Sequence, residues 1–155
     1  MSDTIYVPFG VIDQTLAQLQ SAGRQRKECV VLWLGRRRDE RLDVAEAYLP
    51  QQIAAVDFFR IPPAAMSALL TYLGEKNLMI AAQVHSHPAA AFHSQADDKW
   101  AIVRHLDAFS LVLPRFGNDT NRSNFKSQAA AFTLTASNRW VQLDQLQVDD
   151  RIRLI

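Results

Sequence analysis

Three of the four histidines in this 155-residue chain fall within nine positions, in the run Val84-His85-Ser86-His87-Pro88 and onward to His93-Ser94-Gln95-Ala96-Asp97-Asp98. At the end of a strand, residues two apart project to the same side, so His85 and His87 can converge on one point. Pro88 stops the ladder and turns the chain, and Asp97 arrives ten residues after His87, near the start of the next expected helix. Two imidazoles and one carboxylate leave the fourth tetrahedral position open for water, which is the donor set of a catalytic zinc site. Blander chemistry competes. A His-x-His pair can simply hydrogen-bond to a loop, and Ser94-x-x-Asp97 has the pattern of a helix capping box, which accounts for both residues without a metal.

Zinc hydrolysis also needs a base that takes a proton from the bound water and hands it to the leaving amine. The candidates are Glu28, Glu40, Glu46 and Glu75. Glu40 falls in a charged hairpin tip, Glu75 in a polar turn, and Glu46 in mid-strand on a face expected to meet water. Glu28 differs because it opens the most apolar strand of the protein, where an idle carboxylate is costly. The competing reading has it capping the sheet edge beside Arg26 and Lys27.

The elements that must hold these residues are legible from periodicity. Val11, Ile12, Leu16 and Leu19 recur at helical spacing before Gly23, predicting an amphipathic helix over 11–22. The run Glu28-Cys29-Val30-Val31-Leu32-Trp33-Leu34-Gly35 reads as a strand buried on both faces, joined through the charged tip 36–41 to a second strand over 42–49. A short strand over 57–61 precedes Pro62-Pro63, which start a helix over 64–74 with Met66, Leu69, Leu70 and Leu73 on its buried side. Strands over 78–85 and 109–113 flank a helix over 94–106, and 130–135, 140–143 and 151–154 read as closing strands after a loop over 117–126. The expectation is a single α+β domain spanning 1–155, with about three helices around a sheet.

Composition narrows the function classes. Apolar residues make up 48% and charged residues 21%, so a sizeable core is expected rather than disorder. Seventeen Lys and Arg against 16 Asp and Glu give no global field for nucleic acid or an anionic membrane. The apolar runs are too short to span a bilayer, and Met1-Ser2-Asp3-Thr4 has no signal-peptide character, so a soluble, cytoplasmic protein is expected. Cys29 is the only cysteine and excludes an internal disulfide.

With Glu28 on an early strand, His85-x-His87-Pro88, a short spacer and Ser94-x-x-Asp97, the chain resembles the JAMM (JAB1/MPN+) zinc metalloproteases, especially their compact prokaryotic JAB branch. The resemblance covers most of residues 11–143. It implies an MPN/JAB-like fold with a mixed, mostly antiparallel sheet, Zn2+ held by His85, His87 and Asp97, Glu28 as base, and Ser94 helping to hold the oxyanion. Six residues separate His87 from Ser94, one fewer than in many eukaryotic members. His93-Ser94-x-x-Asp97-Asp98 resembles the form in bacterial JAB proteins encoded beside ubiquitin-like activating and conjugating enzymes. His93 reads either as an extra polar contact to the site or as a surface residue, and Asp98 is an alternative ligand to Asp97, with the family pattern favouring Asp97.

The implied activity is a zinc-dependent protease or isopeptidase, deubiquitinase-like, cleaving after the C-terminal tail of a ubiquitin-like or C-terminally conjugated protein in a bacterial antiphage system. An extended tail can add as a strand, with 57–61 or the loop 117–126 supplying the edge or lid. Two other classes remain. One is a metal-free MPN scaffold that only binds partners. The other is a DNA-associated JAB relative, whose phosphate contacts would come from Arg24, Arg26, Lys27, Arg36, Arg37, Arg38 and Arg41. A Ser/His/Asp hydrolase is disfavoured because Ser94 has no Gly-x-Ser-x-Gly elbow.

Overall fold

The computed structural model describes residues 3–92, 102 and 108–155. The expected helix over 94–106, and with it His93, Ser94, Asp97, Asp98 and His105, lies outside the described residues apart from Ile102.

Strands β1 (Thr4–Val7), β2 (Val30–Arg38), β3 (Arg41–Tyr48), β6 (Met79–Ser86), β7 (Phe109–Leu113), β8 (Ala130–Leu134), β9 (Trp140–Gln142) and β10 (Ile152–Leu154) form one mixed sheet. Its order is β10-β1-β3-β2-β6-β7-β8-β9. The β2 strand runs antiparallel to both its neighbours, β3 and β6, whereas β6–β7, β1–β3 and β1–β10 are parallel pairs. A separate arm pairs β4 (Ile53–Ala54) with β5 (Phe59–Arg60). Around the sheet lie α1 (Phe9–Gly23), α2 (Pro63–Lys76), a 3₁₀ turn (Arg115–Gly117), α3 (Phe125–Gln128) and α4 (Gln145–Arg151). This is the α+β architecture that the residue pattern predicts.

Central β2 is buried on both faces. Val31 and Trp33 join Ile12, Leu16 and Leu19 of α1 in the larger core, while Val30, Leu32 and Leu34 join Leu69 of α2 on the other side. This two-sided burial explains the unbroken apolar run. The Trp33 indole N–H donates to Thr15 Oγ1 at 2.9 Å, satisfying a polar atom that would otherwise be costly inside the core. At the end of α1, a Cβ placed on Gly23 would lie 2.4 Å from Cβ of Phe116, so glycine is what lets the 3₁₀ turn seat against the helix.

Several local expectations change. Strand β1 was not anticipated; four residues carry too short a pattern to register alone, and they are stabilised by parallel pairing with β3 and β10. Within 57–61 only Phe59 and Arg60 are strand, and they belong to the arm rather than to the main sheet. Leu70 of α2 is 61% exposed instead of buried. The last helix, α4, went unread, although Asp144 and Gln147 form its capping box. Glu46 accepts the Tyr72 hydroxyl rather than simply facing water.

Candidate functional site

The site forms where β2 begins and β6 ends. Val30 pairs with His85, and continuing that antiparallel register beyond the strand puts Glu28 across from His87. Glu28 Oε1 lies 3.8 Å from His87 Nε2. The carboxylate and both imidazoles are buried, with 3% exposure or less. The two imidazole ring centroids are 5.2 Å apart, so the histidines converge as their spacing predicts. Phe59 packs against His85, and Phe92 meets His87 edge-on at 4.5 Å between centroids.

Four sets of hydrogen bonds fix this geometry. Ser86, pointing to the opposite face from the histidines, accepts the Cys29 N–H through Oγ at 3.1 Å, while its own N–H donates to the Cys29 carbonyl at 3.1 Å. The Glu28 N–H donates to the Ala55 carbonyl at 2.7 Å, tying the carboxylate-bearing residue to the arm. Gln52 then stands in for a neighbouring strand, accepting the Val30 N–H and donating to the Val30 and Pro50 carbonyls. From behind, the His87 N–H donates to Leu113, and Arg115 and Phe116 donate to the carbonyls of Ala89 and His87. Arg115, Phe116 and Gly117 all have positive φ, at 51°, 56° and 72°, a left-handed turn held in place by those bonds.

Two cavities share Glu28 in their lining. One, of about 340 Å³, runs between the end of α1 and the 49–54 segment and includes Gln18, Gln25, Gln51 and Gln52. The other, of about 130 Å³, is lined by Glu28, Asp57 and His87 together with Pro88, Ala89, Ala90 and Phe92. Of the two segments expected to supply an edge or lid, the arm containing 57–61 borders the site. The 117–126 loop instead lies against α1, where Gln20 donates to the Gly117 carbonyl and Arg122 pairs with Asp13. Asp57, Ser86 and Gln52 were missed as site residues. The Cys29 thiol beside the site has its pKa pushed up to about 12 by burial.

The described residues do not bear out the expected zinc site. Among the described residues, no group of three or more His, Cys, Asp and Glu could hold a metal ion. Two imidazoles do not complete a zinc site, and Glu28 Oε1 stands 3.8 Å from His87 Nε2, a close approach longer than a hydrogen bond. Asp97, the expected third ligand, and Ser94 lie outside the described residues. The Zn2+ cofactor and the protease, isopeptidase and deubiquitinase-like activities built on it are therefore not supported by the described residues.

The arginine-rich tip lies at the other end of β2, about 25 to 30 Å along the strand. Arg37 pairs with Asp3, Arg38 and Arg41 both pair with Asp43, and Arg36 donates to the Lys76 carbonyl. These guanidiniums are engaged within the chain.

Fold and site define a JAB/MPN-like α+β domain. Residues 10–123 match the family described as prokaryotic homologs of the JAB domain, and the chain belongs to that family. It is 32% identical over 141 residues to a protein of Sinorhizobium fredii named "Probable metalloprotease y4jG", covering 88% of this chain and 85% of that one. The fold resembles the solution structure of protein DSY2949 from Desulfitobacterium hafniense, with a TM-score of 0.71 and 17% identity over 98% of this chain and 93% of that one.

Proposed function

We propose that the chain is an MPN-type binding scaffold that captures the extended C-terminal tail of a ubiquitin-like or C-terminally conjugated protein. The observation that carries this reading is that two cavities, one beside the end of α1 and one beside the arm, share Glu28 in their lining. The glutamine amides along the larger cavity can both donate to and accept from a peptide backbone. Exposed Leu49, Ile53, Val56, Phe58 and Phe92 supply apolar contacts near it. The proposed setting is the cytoplasm of a bacterium with a ubiquitin-like conjugation system of the antiphage kind, whose activating and conjugating enzymes handle such a tail.

The test is fluorescence anisotropy with fluorescein-labelled Leu-Ala-Ala-Gly-norleucine amide. Saturable binding is expected, weakened about tenfold by Leu49→Asp, as for loss of one central apolar anchor. Thermal unfolding of that variant should stay within about 0.5 kcal/mol of the parent, because Leu49 is a surface residue. No saturable binding overturns the reading. Mass spectrometry of the same mixture is the second arm, prompted by the name of the Sinorhizobium relative: a cleaved peptide overturns the scaffold assignment.

A further inference from the structure

We infer that the outer edge of β10 is a docking site for an extended acidic segment of a partner protein. β10 stands last in the sheet, with β1 as its neighbour on the inner side. Along a parallel pair, alternate residues turn their N–H and C=O toward the adjoining strand. Ile155 is turned that way, donating to the Val7 carbonyl at 3.0 Å and accepting the Phe9 N–H at 2.8 Å. The same alternation turns Ile152 and Leu154 outward. Ile152 is served within the chain, its N–H donating to the Val148 carbonyl and its own carbonyl accepting Lys126 Nζ at 3.1 Å. Leu154 presents its N–H and C=O at the sheet edge, where it lines a cavity of about 460 Å³.

The rest of the lining says what kind of chain fits. It consists of Phe9, Arg122, Ser123, Lys126 and Arg153, three cations with no acid among them, and the Arg122 guanidinium lies over the Phe9 ring at 5.0 Å. The cations pair with Asp13, Asp149 and Asp150, which stand outside the lining with side chains at least half exposed. Ion pairs this open to water are weakly held, so the cations can take a new carboxylate at little cost. A basic segment would face three like charges, and a purely apolar one would strip water from them. A strand with acids two residues apart sets both carboxylates on one side while its backbone pairs with Leu154, as in strand addition to a sheet edge. The site shares no lining residue with the two cavities at Glu28, so it stands apart from tail capture.

The experiment is fluorescence anisotropy on the full chain with rhodamine-labelled Gly-Asp-Val-Asp-Val-Gly amide and its asparagine counterpart. The acidic peptide should bind saturably and about tenfold more tightly than the asparagine peptide, the scale of charge-assisted contacts to its carboxylates. Arg153→Gln should weaken it about fivefold, as for loss of one exposed ion contact, whereas Arg38→Gln at the far end of β2 should leave it unchanged. N-methylation at the first valine or at the second aspartate, one at a time, reads the strand pairing: only one of the two should cost affinity, by about tenfold, because alternate N–H groups face the edge. Equal binding of the acidic and asparagine peptides overturns the charge assignment, and an Arg153→Gln chain that binds like the parent overturns the assignment to this cavity. Equal effects of the two methylations overturn strand addition. Displacement of the peptide by an equal concentration of inorganic phosphate makes this a small-anion site and overturns the acidic segment as its occupant. Absence of saturable binding overturns the inference and leaves tail capture at Glu28 standing.

Discussion

At its first residues β2 adjoins a buried carboxylate and two buried imidazoles, whereas its last three residues are arginines exposed to water. The charged groups at the arginine end find acids on the surface, and solvent does most of the work of stabilising them. At the other end the groups are removed from water, so fixed hydrogen bonds to the backbone must supply order: Ser86 holds Cys29, Ala55 holds Glu28, and Gln52 holds Val30. Charge density alone is therefore a poor guide to function in this chain. The run of four basic residues in six positions from Arg36 to Arg41 is the more conspicuous in sequence, yet it is the single glutamate at the other end that lines two cavities.

Three measurements sharpen that contrast. The largest expected effect concerns the thiol next to Glu28. With its pKa raised from 9.0 to about 12 by burial, Cys29 should hold about a thousandfold less thiolate near pH 8 than a free thiol, and react with a disulfide reagent correspondingly slowly until the chain is denatured. The same shift has a stability sign. The folded chain keeps a proton that the unfolded chain loses above pH 9, so this contribution is intact below pH 9 and declines as pH rises toward 12. Rapid labelling of the folded protein at pH 8 would mean that the buried end of β2 is open to solvent.

Next in size, Ser86→Ala leaves the buried Cys29 N–H without its side-chain acceptor. Denaturant unfolding should show a loss of about 1 to 3 kcal/mol, with peptide affinity falling in parallel as Glu28 loses its register. A stability loss with no change in affinity would separate this bond from the cleft. The smallest effect is expected at the arginine end. Arg38 is 77% exposed, and its contact with Asp43 spans 3.5 Å, so Arg38→Gln should alter unfolding free energy by no more than about 0.5 kcal/mol. A larger loss would mean that the tip, too, depends on fixed partners.

The sequence revealed one part of the site and concealed another for a physical reason. Glu28, His85 and His87 stand out because a carboxylate opening an apolar strand and two imidazoles spaced for one face are chemically conspicuous within a few residues. Asp57 is one acid among many along the chain, and only the fold of the arm brings it beside His87. Ser86 was hidden by its position, since a serine between two histidines points away from them and its partner is 57 residues earlier. Gln52 is harder still, because a side chain replacing a strand leaves no periodic trace. Among the elements, α1, α2 and the central strands were legible because each buries a regular stripe. The β1 strand is four residues long, and α4 exposes 81% of its Leu146, so neither has such a stripe to read.

The left-handed turn at Arg115, Phe116 and Gly117 gives the histidine pair a second mutational address. Its hydrogen bonds fix the carbonyls of His87 and Ala89, and its shape depends on two side-chain-bearing residues in a conformation that each tolerates at a cost of about 1 to 2 kcal/mol. Replacing either with glycine would relieve that cost while freeing the turn to drift. Selection acting 28 residues away from His87 can thus retune the spacing of the imidazoles without altering any residue that lines the cleft.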